Sequence, residues 1–118
     1  MSTRNIPETE WHSFFDALSR LHCGAMVNMS VSTPEEGRVD EIRNRPFRGI
    51  SDEGKDVMIH IGGRSHLMHR VAGVGEVTLE QTMEGADSAI DITSIGGMRA
   101  EVRFRSPIVT ELLDTAVE

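Results

Sequence analysis

The chain has 118 residues, enough for one ordinary domain that buries about two-thirds of its unfolded surface without a metal or disulfide staple. Nineteen acidic against twelve basic residues give a formal charge of −7, so the field of the whole molecule repels phosphate backbones and anionic lipid, which makes nucleic acid an unfavoured partner. A single cysteine excludes an intrachain disulfide, and 4% aromatics with no tyrosine leave little from which to build base-stacking platforms.

Met1 to Glu10 lacks the apolar run of a signal peptide, and no later stretch approaches about 18 consecutive apolar residues, so the expectation is a cytoplasmic protein with no membrane contact. Trp11, Phe14, Phe15, Leu18 and Leu21 then fall at i, i+3, i+4, i+7 and i+10, a spacing that lines one face of a helix and suits no strand. Pro7 and Thr9 mark its start, and Gly24 supplies a left-handed stop. Arg20 and His22 put cationic groups near the carbonyl end.

Ala25 to Ser32 alternates, with Ala25, Val27, Met29 and Val31 on one side, and reads as a half-buried strand. Arg38 to Ile50 is the least regular segment; Pro46 argues for an edge, and a short strand is expected at about Arg45 to Ile50. Asp56 to Ile61 alternates cleanly, Gly62-Gly63-Arg64 makes a hairpin loop, and Ser65 to Val71 returns. Centring that loop on Gly63 sets His60 opposite His66 and Ile59 opposite Leu67, with His69 on the apolar face.

After a glycine-bearing bend at Ala72 to Gly75, Glu76–Thr82 and Ser88–Thr93 pair with Leu79 facing Ile92. Met98–Arg105 follows, with Ala100, Val102 and Phe104 inward. Glu76, Thr78, Glu80, Asp91, Glu101, Arg103 and Arg105 fall on the opposite, wet face. Ser106-Pro107 reads as the cap and first turn of a helix whose stripe is Ile108, Val109, Leu112, Leu113 and Ala116.

The sum is an α+β domain spanning residues 1–118: an amino-terminal helix packed on a strongly curled antiparallel sheet or small open barrel of about six or seven strands, closed by a short carboxy-terminal helix. The aromatic stripe plugs the curl, because few other large side chains are available to fill it.

No motif demands catalysis. His60 and His66 can share a sheet face, but nothing forces a carboxylate or thiolate beside them, so no metal and no cofactor are assigned. His69 reads as a hydrogen-bonded core histidine. Cys23 has only His22 as a neighbour, and on a helix that side chain points about 100° away. Acid pairs such as Glu35-Glu36, Asp40-Glu41 and Asp52-Glu53 sit in turns where carboxylates are solvated, and the glycine pairs are hairpin turns with no helix behind them. Arg38 to Arg48 carries Arg43, Arg45, Phe47 and Arg48, a local basic patch on an acidic chain.

The chain resembles a family of small, uncharacterised bacterial proteins that begin with a Trp-x-x-Phe segment ending in Ser-Arg-x-His-x-Gly, here Trp11, Phe14, Ser19, Arg20, His22 and Gly24. The likeness continues in Pro46-Phe47-Arg48-Gly49-Ile50, His66-Leu67-Met68-His69, Glu84-Gly85-Ala86-Asp87 and Arg103-Phe104-Arg105. It implies a shared domain and no assigned activity.

The expectation is therefore a non-enzymatic module that binds a protein partner or a second copy of itself, through Arg43, Arg45, Phe47 and Arg48 on an exposed edge near Pro46, or through His60 and His66. A small enzyme or ligand- or metal-binding pocket using His60, His66 or His69 is the alternative, and RNA binding through Arg38–Arg48 is the second.

Overall fold

A helix does form where the apolar spacing places it, and its buried row decides how the rest is assembled. The computed structural model describes residues 2–108. A single 3-10 turn at Glu8–Glu10 leads into α1, Trp11–His22. Its buried residues are Trp11, Phe15, Leu18 and His22, at i, i+4, i+7 and i+11. Relative to the expected stripe the row is rotated, leaving Phe14 and Leu21 half-buried and taking in His22.

Around α1 lie eight strands: β1 Ser2–Asn5, β2 Met26–Thr33, β3 Gly37–Glu53, β4 Asp56–Ile61, β5 Leu67–Val71, β6 Val74–Gln81, β7 Asp87–Ser94 and β8 Arg99–Ile108. Their order is β1-β6-β7-β8-β2-β3-β4-β5 and every pairing is antiparallel.

Three parts of the expected fold are corrected. The sheet is open, with β1 and β5 as its ends and no further strand paired to them among the described residues, in place of a strongly curled sheet or small barrel. Among the described residues it has eight strands because β1, a run of polar residues with no alternation to announce it, pairs with β6; the short strand expected at Arg45 to Ile50 is instead the middle of one long strand. The carboxy-terminal helix is not begun at Ser106-Pro107, since β8 continues to Ile108, which pairs with Asp87; the rest of the expected helical stripe lies outside the described residues.

The 17-residue β3 joins the two halves of the sheet. Residues 37–46 pair with β2 and residues 47–53 with β4, with irregular register beside Asn44 (φ 55°) and at Gly49. Only Ala72 and Gly73 separate β5 from β6, so those ends lie within about 11 Å of each other. Val74 N–H donates to the Lys55 carbonyl at 2.7 Å across that corner. Apolar side chains of both halves, from Val27 on β2 to Ile59 on β4 and Ile92 on β7, belong to one buried cluster.

α1 is fixed by specific bonds as well as by burial. The Trp11 indole N–H donates to the Ile6 carbonyl at 2.9 Å, and Ile6 N–H donates to Val77 of β6. The Ser19 hydroxyl donates to Ile50 O at 3.0 Å and accepts from Ile50 N–H at 2.8 Å, pinning the helix to β3. That approach requires a glycine at 49, where φ is +151° and a Cβ would stand 3.0 Å from Ser19 Oγ.

Candidate functional site

The β4–β5 hairpin carries the first arrangement of interest. Ile61 pairs with Leu67, Ile59 with His69 and Val57 with Val71, two residues away from the register expected for a loop centred on Gly63. A shift of two keeps every side chain on its face, so His69 still points to the apolar side while the loop lengthens to Gly62–His66.

That loop is held by the arginines of β3. Arg45 donates from Nε to the Gly62 carbonyl at 2.8 Å and from Nη2 to the Ser65 carbonyl. Side chains at 62 and 63 would collide with these arginines: a Cβ at 62 would meet Arg48 Nε at 2.6 Å, and one at 63 would meet Arg45 Nε at 2.8 Å.

The expected binding patch is thus largely a structural brace. Phe47 is fully buried against the edge of Phe104, with ring centroids 5.7 Å apart, and is not the exposed contact residue that Pro46 suggested. Arg43 pairs with Asp40 at 3.3 Å, and Arg38 with the same carboxylate at 3.5 Å.

Beneath β5 lies an open cavity of about 150 Å³, lined by Met29, Glu41, Ile42, Ile61, Leu67, Met68 and His69. Leu67 and Met68 remain 40% and 51% exposed at its rim, a large fraction for apolar side chains on a strand end. His69 Nε2 is buried with no hydrogen-bond partner among the described residues, although the sequence reading had it satisfied in the core.

On the other face of the same hairpin, His60 Nδ1 stands 3.3 Å from His66 Nε2, and Ser51 Oγ lies 3.2 Å from His60 Nε2. Partial burial, and then the neighbouring His66 charge, hold His60 below its ordinary pKa, favouring the neutral ring.

A second cavity, of about 220 Å³, opens between α1 and β6, where Phe14, Ala17, Leu18, Leu21 and Leu79 meet Arg4, Gln81 and Asp87. At its floor is a pair that sequence reasoning missed: His22 Nε2 and Asp87 Oδ2 are 2.8 Å apart, and His22 is 2% exposed. Gln81 donates to the other Asp87 oxygen at 3.0 Å, and the His22 ring stacks on Phe104 at 4.3 Å. Burial alone would raise the Asp87 pKa; hydrogen bonds from His22 and Gln81 outweigh it and hold the carboxyl below its usual value. The signal was present, since His22 follows Leu18 by four and Phe15 by seven, continuing the buried row.

On the wet face of the sheet the carboxylates of Glu80, Asp91 and Glu101 come within 4.8 Å of one another. Burial, and then a hydrogen bond shared with Glu80, push Asp91 up to about 7. Arg99 bonds Asp91 at 3.0 Å, and Arg103 bonds Glu80 at 3.2 Å and Glu101 at 3.3 Å, so two guanidinium groups offset part of the charge of the trio.

The model of a family described as Family of unknown function (DUF5335) matches residues 2–112. The chain belongs to that family. An uncharacterised protein of Aquifex aeolicus (strain VF5) is 28% identical over 108 residues, covering 92% of this chain and 96% of the Aquifex protein. No solved structure matches.

The segments that carried the family resemblance can now be placed. Four of them meet at His22: Gly24 N–H donates to Phe47 O at 2.7 Å, Ser19 clamps Ile50, Asp87 bonds His22, and Phe104 stacks between His22 and Phe47. These residues hold helix to sheet. The remaining segment, His66 to His69, stands apart from that junction and supplies the rim of the first cavity and half of the histidine pair. Of the predicted site residues, the fold brings His60 and His66 together and spends Arg45 and Phe47 on structure.

Proposed function

We propose that this DUF5335 member is a non-catalytic binding module that takes an extended polypeptide segment along the open edge of β5, with one apolar side chain of that segment seated in the cavity under Leu67, Met68 and His69. The observation that carries this is an edge strand with no partner among the described residues and an apolar cavity immediately behind it. Strand addition supplies main-chain hydrogen bonds, and a pocket for one alternate side chain supplies selectivity.

Size decides between a peptide and a small-molecule ligand. About 150 Å³ holds a benzene-sized group, which is one side chain, whereas small-molecule sites run to roughly 300–1,000 Å³. His69 Nε2, which has no partner among the described residues, favours an apolar anchor that brings one polar atom, such as the thioether of methionine.

The opposite end of the sheet is a poor competitor. β1 is Ser-Thr-Arg-Asn, exposed throughout and polar, the composition that discourages further pairing. On β5 the one charge, Arg70, is bonded to Asp56, leaving Leu67 and Met68 as the presented side chains. A second copy of the chain offers the same strand and is one segment that meets the description. The absence of any long apolar helix among the described residues and the lone cysteine fit a cytoplasmic setting.

The reading is tested by selecting peptides from a display library on the full chain and repeating the measurement on Leu67→Asp/Met68→Lys. Peptides with an apolar residue at a fixed position, binding the parent and losing at least about tenfold in affinity to the variant, are expected. Selected peptides that bind both chains equally overturn it.

A further inference from the structure

The β4–β5 hairpin holds a close pair of histidines to which the family description assigns no role. We propose that His60 Nδ1 and His66 Nε2 together bind one divalent transition-metal ion of the Zn²⁺, Ni²⁺ or Cu²⁺ class, with Ser51 as the positioning residue. The site lies on the opposite face of the hairpin from the cavity proposed to seat a peptide and does not depend on that reading.

Two observations converge. The first is the bite. Two Zn–N bonds of about 2.0–2.1 Å at a tetrahedral angle place their nitrogens about 3.3–3.4 Å apart. The two ring nitrogens already stand 3.3 Å apart, so the separation matches that bite, and the ion is reached by a turn of the rings of about 35° off the N···N line. The second is the tautomer. With Nε2–H of His60 donating to Ser51 Oγ at 3.2 Å, Nδ1 is left as a lone pair aimed at His66. A metal-bound histidine ordinarily gives its other N–H to an oxygen in this way.

In the metal-free hairpin one nitrogen of the pair carries the proton that bridges them. The ion replaces that N–H contact, and neutral His66 passes its one proton through solvent from Nε2 to Nδ1, so the pair releases no net proton. His66 is exposed and His60 partly so, giving the ion a path in and leaving its other positions to water. Imidazole-only donors favour Cu²⁺, Ni²⁺ and Zn²⁺ over Mg²⁺ and Ca²⁺, which take oxygen. The loop between the two ligands is already fixed by Arg45, so chelation closes a ring whose geometry is set beforehand.

The test is calorimetric titration of the full chain with ZnCl₂, with Cu²⁺ electron paramagnetic resonance as the second readout. Parent protein should bind one ion per chain, and Cu²⁺ spectra should show two coupled nitrogens. His60→Ala and His66→Ala should each abolish saturable binding, while His12→Ala and His69→Ala retain it. Ser51→Ala, which leaves both ligands in place, should weaken binding by about tenfold or more. Titration without saturable heat, or binding that survives His60→Ala or His66→Ala, overturns the proposal; unchanged affinity in Ser51→Ala overturns the positioning role.

Discussion

Removing both members of the buried His22–Asp87 pair should cost less than the two single removals added together. In Asp87→Ala, His22 Nε2 keeps its 2% exposure and loses the partner 2.8 Å away, while Gln81 loses its own acceptor at 3.0 Å. An unsatisfied buried polar group costs about 1–3 kcal/mol, and breaking a buried ion pair on one side about 3–5 kcal/mol. The Asp87 side chain is 12% exposed, so water reaches part of the gap and the lower range applies, about 2–3 kcal/mol. For a chain of this length that is a fall in Tm of roughly 6–12 °C. The combined variant His22→Leu/Asp87→Ala replaces both polar groups and keeps Phe104 covered by an apolar side chain, so it should be less destabilised than the sum of the two single changes by at least about 1 kcal/mol. Urea denaturation of the four proteins, with equal m values as the check on two-state behaviour, measures this directly. Additive effects, or an Asp87→Ala penalty under about 0.5 kcal/mol, would refute the assignment of this pair as the link between α1 and the sheet. The depressed Asp87 pKa sets the sign of the pH dependence: its contribution is present above the ordinary carboxyl value and is lost as pH falls through the lower folded value.

The rotated buried row of α1 predicts that Phe15→Ala, at 1% exposure, costs about 3–5 kcal/mol in chemical denaturation, and that Phe14→Ala, half-buried at the rim of the larger cavity, costs less than half as much. Asp91, whose folded pKa of about 7 exceeds the unfolded 3.8, binds a proton more readily in the native state, so its contribution weakens as pH rises from about 4 to 7. Asp91→Asn should flatten that slope and gain roughly 1 kcal/mol at pH 8 after allowance for solvent screening, as read by denaturation at pH 5 and pH 8; an unchanged slope would show that Asp91 ionises normally.

The strands and their faces were legible because period-2 alternation survives an error in register. In both the β4–β5 and β6–β7 hairpins the observed pairing is two residues from the expected one, Leu79 facing Ile90 in place of Ile92, and a shift of two moves no side chain across the sheet. Loop length was not legible, because the Gly62–His66 loop is set by Arg45, 17 positions from Gly62 in sequence. Pro46 suggested an interruption, yet it sits within β3 with its carbonyl accepting from Gly62 N–H at 2.8 Å. Ser106-Pro107 carries the local marks of a helix start, and pairing with β7 overrides them. Of the candidate site, the closeness of His60 and His66 was expected from a cross-strand pairing that does not form, since His60 pairs with Met68 and His66 reaches it from the loop, whereas the cavity behind β5 and the His22–Asp87 contact depend on residues up to 65 positions apart.

The claim that β5 is the working edge is tested most directly by following backbone amide resonances while a display-selected peptide is titrated into the full chain. Shift changes centred on Leu67 to Val71 and on the cavity residues Met29, Ile42 and Ile61, with slowed amide exchange along β5, are predicted. Changes centred instead on α1, on β1 or on the Glu80–Asp91–Glu101 face, with β5 amides exchanging as in the free chain, would contradict the account.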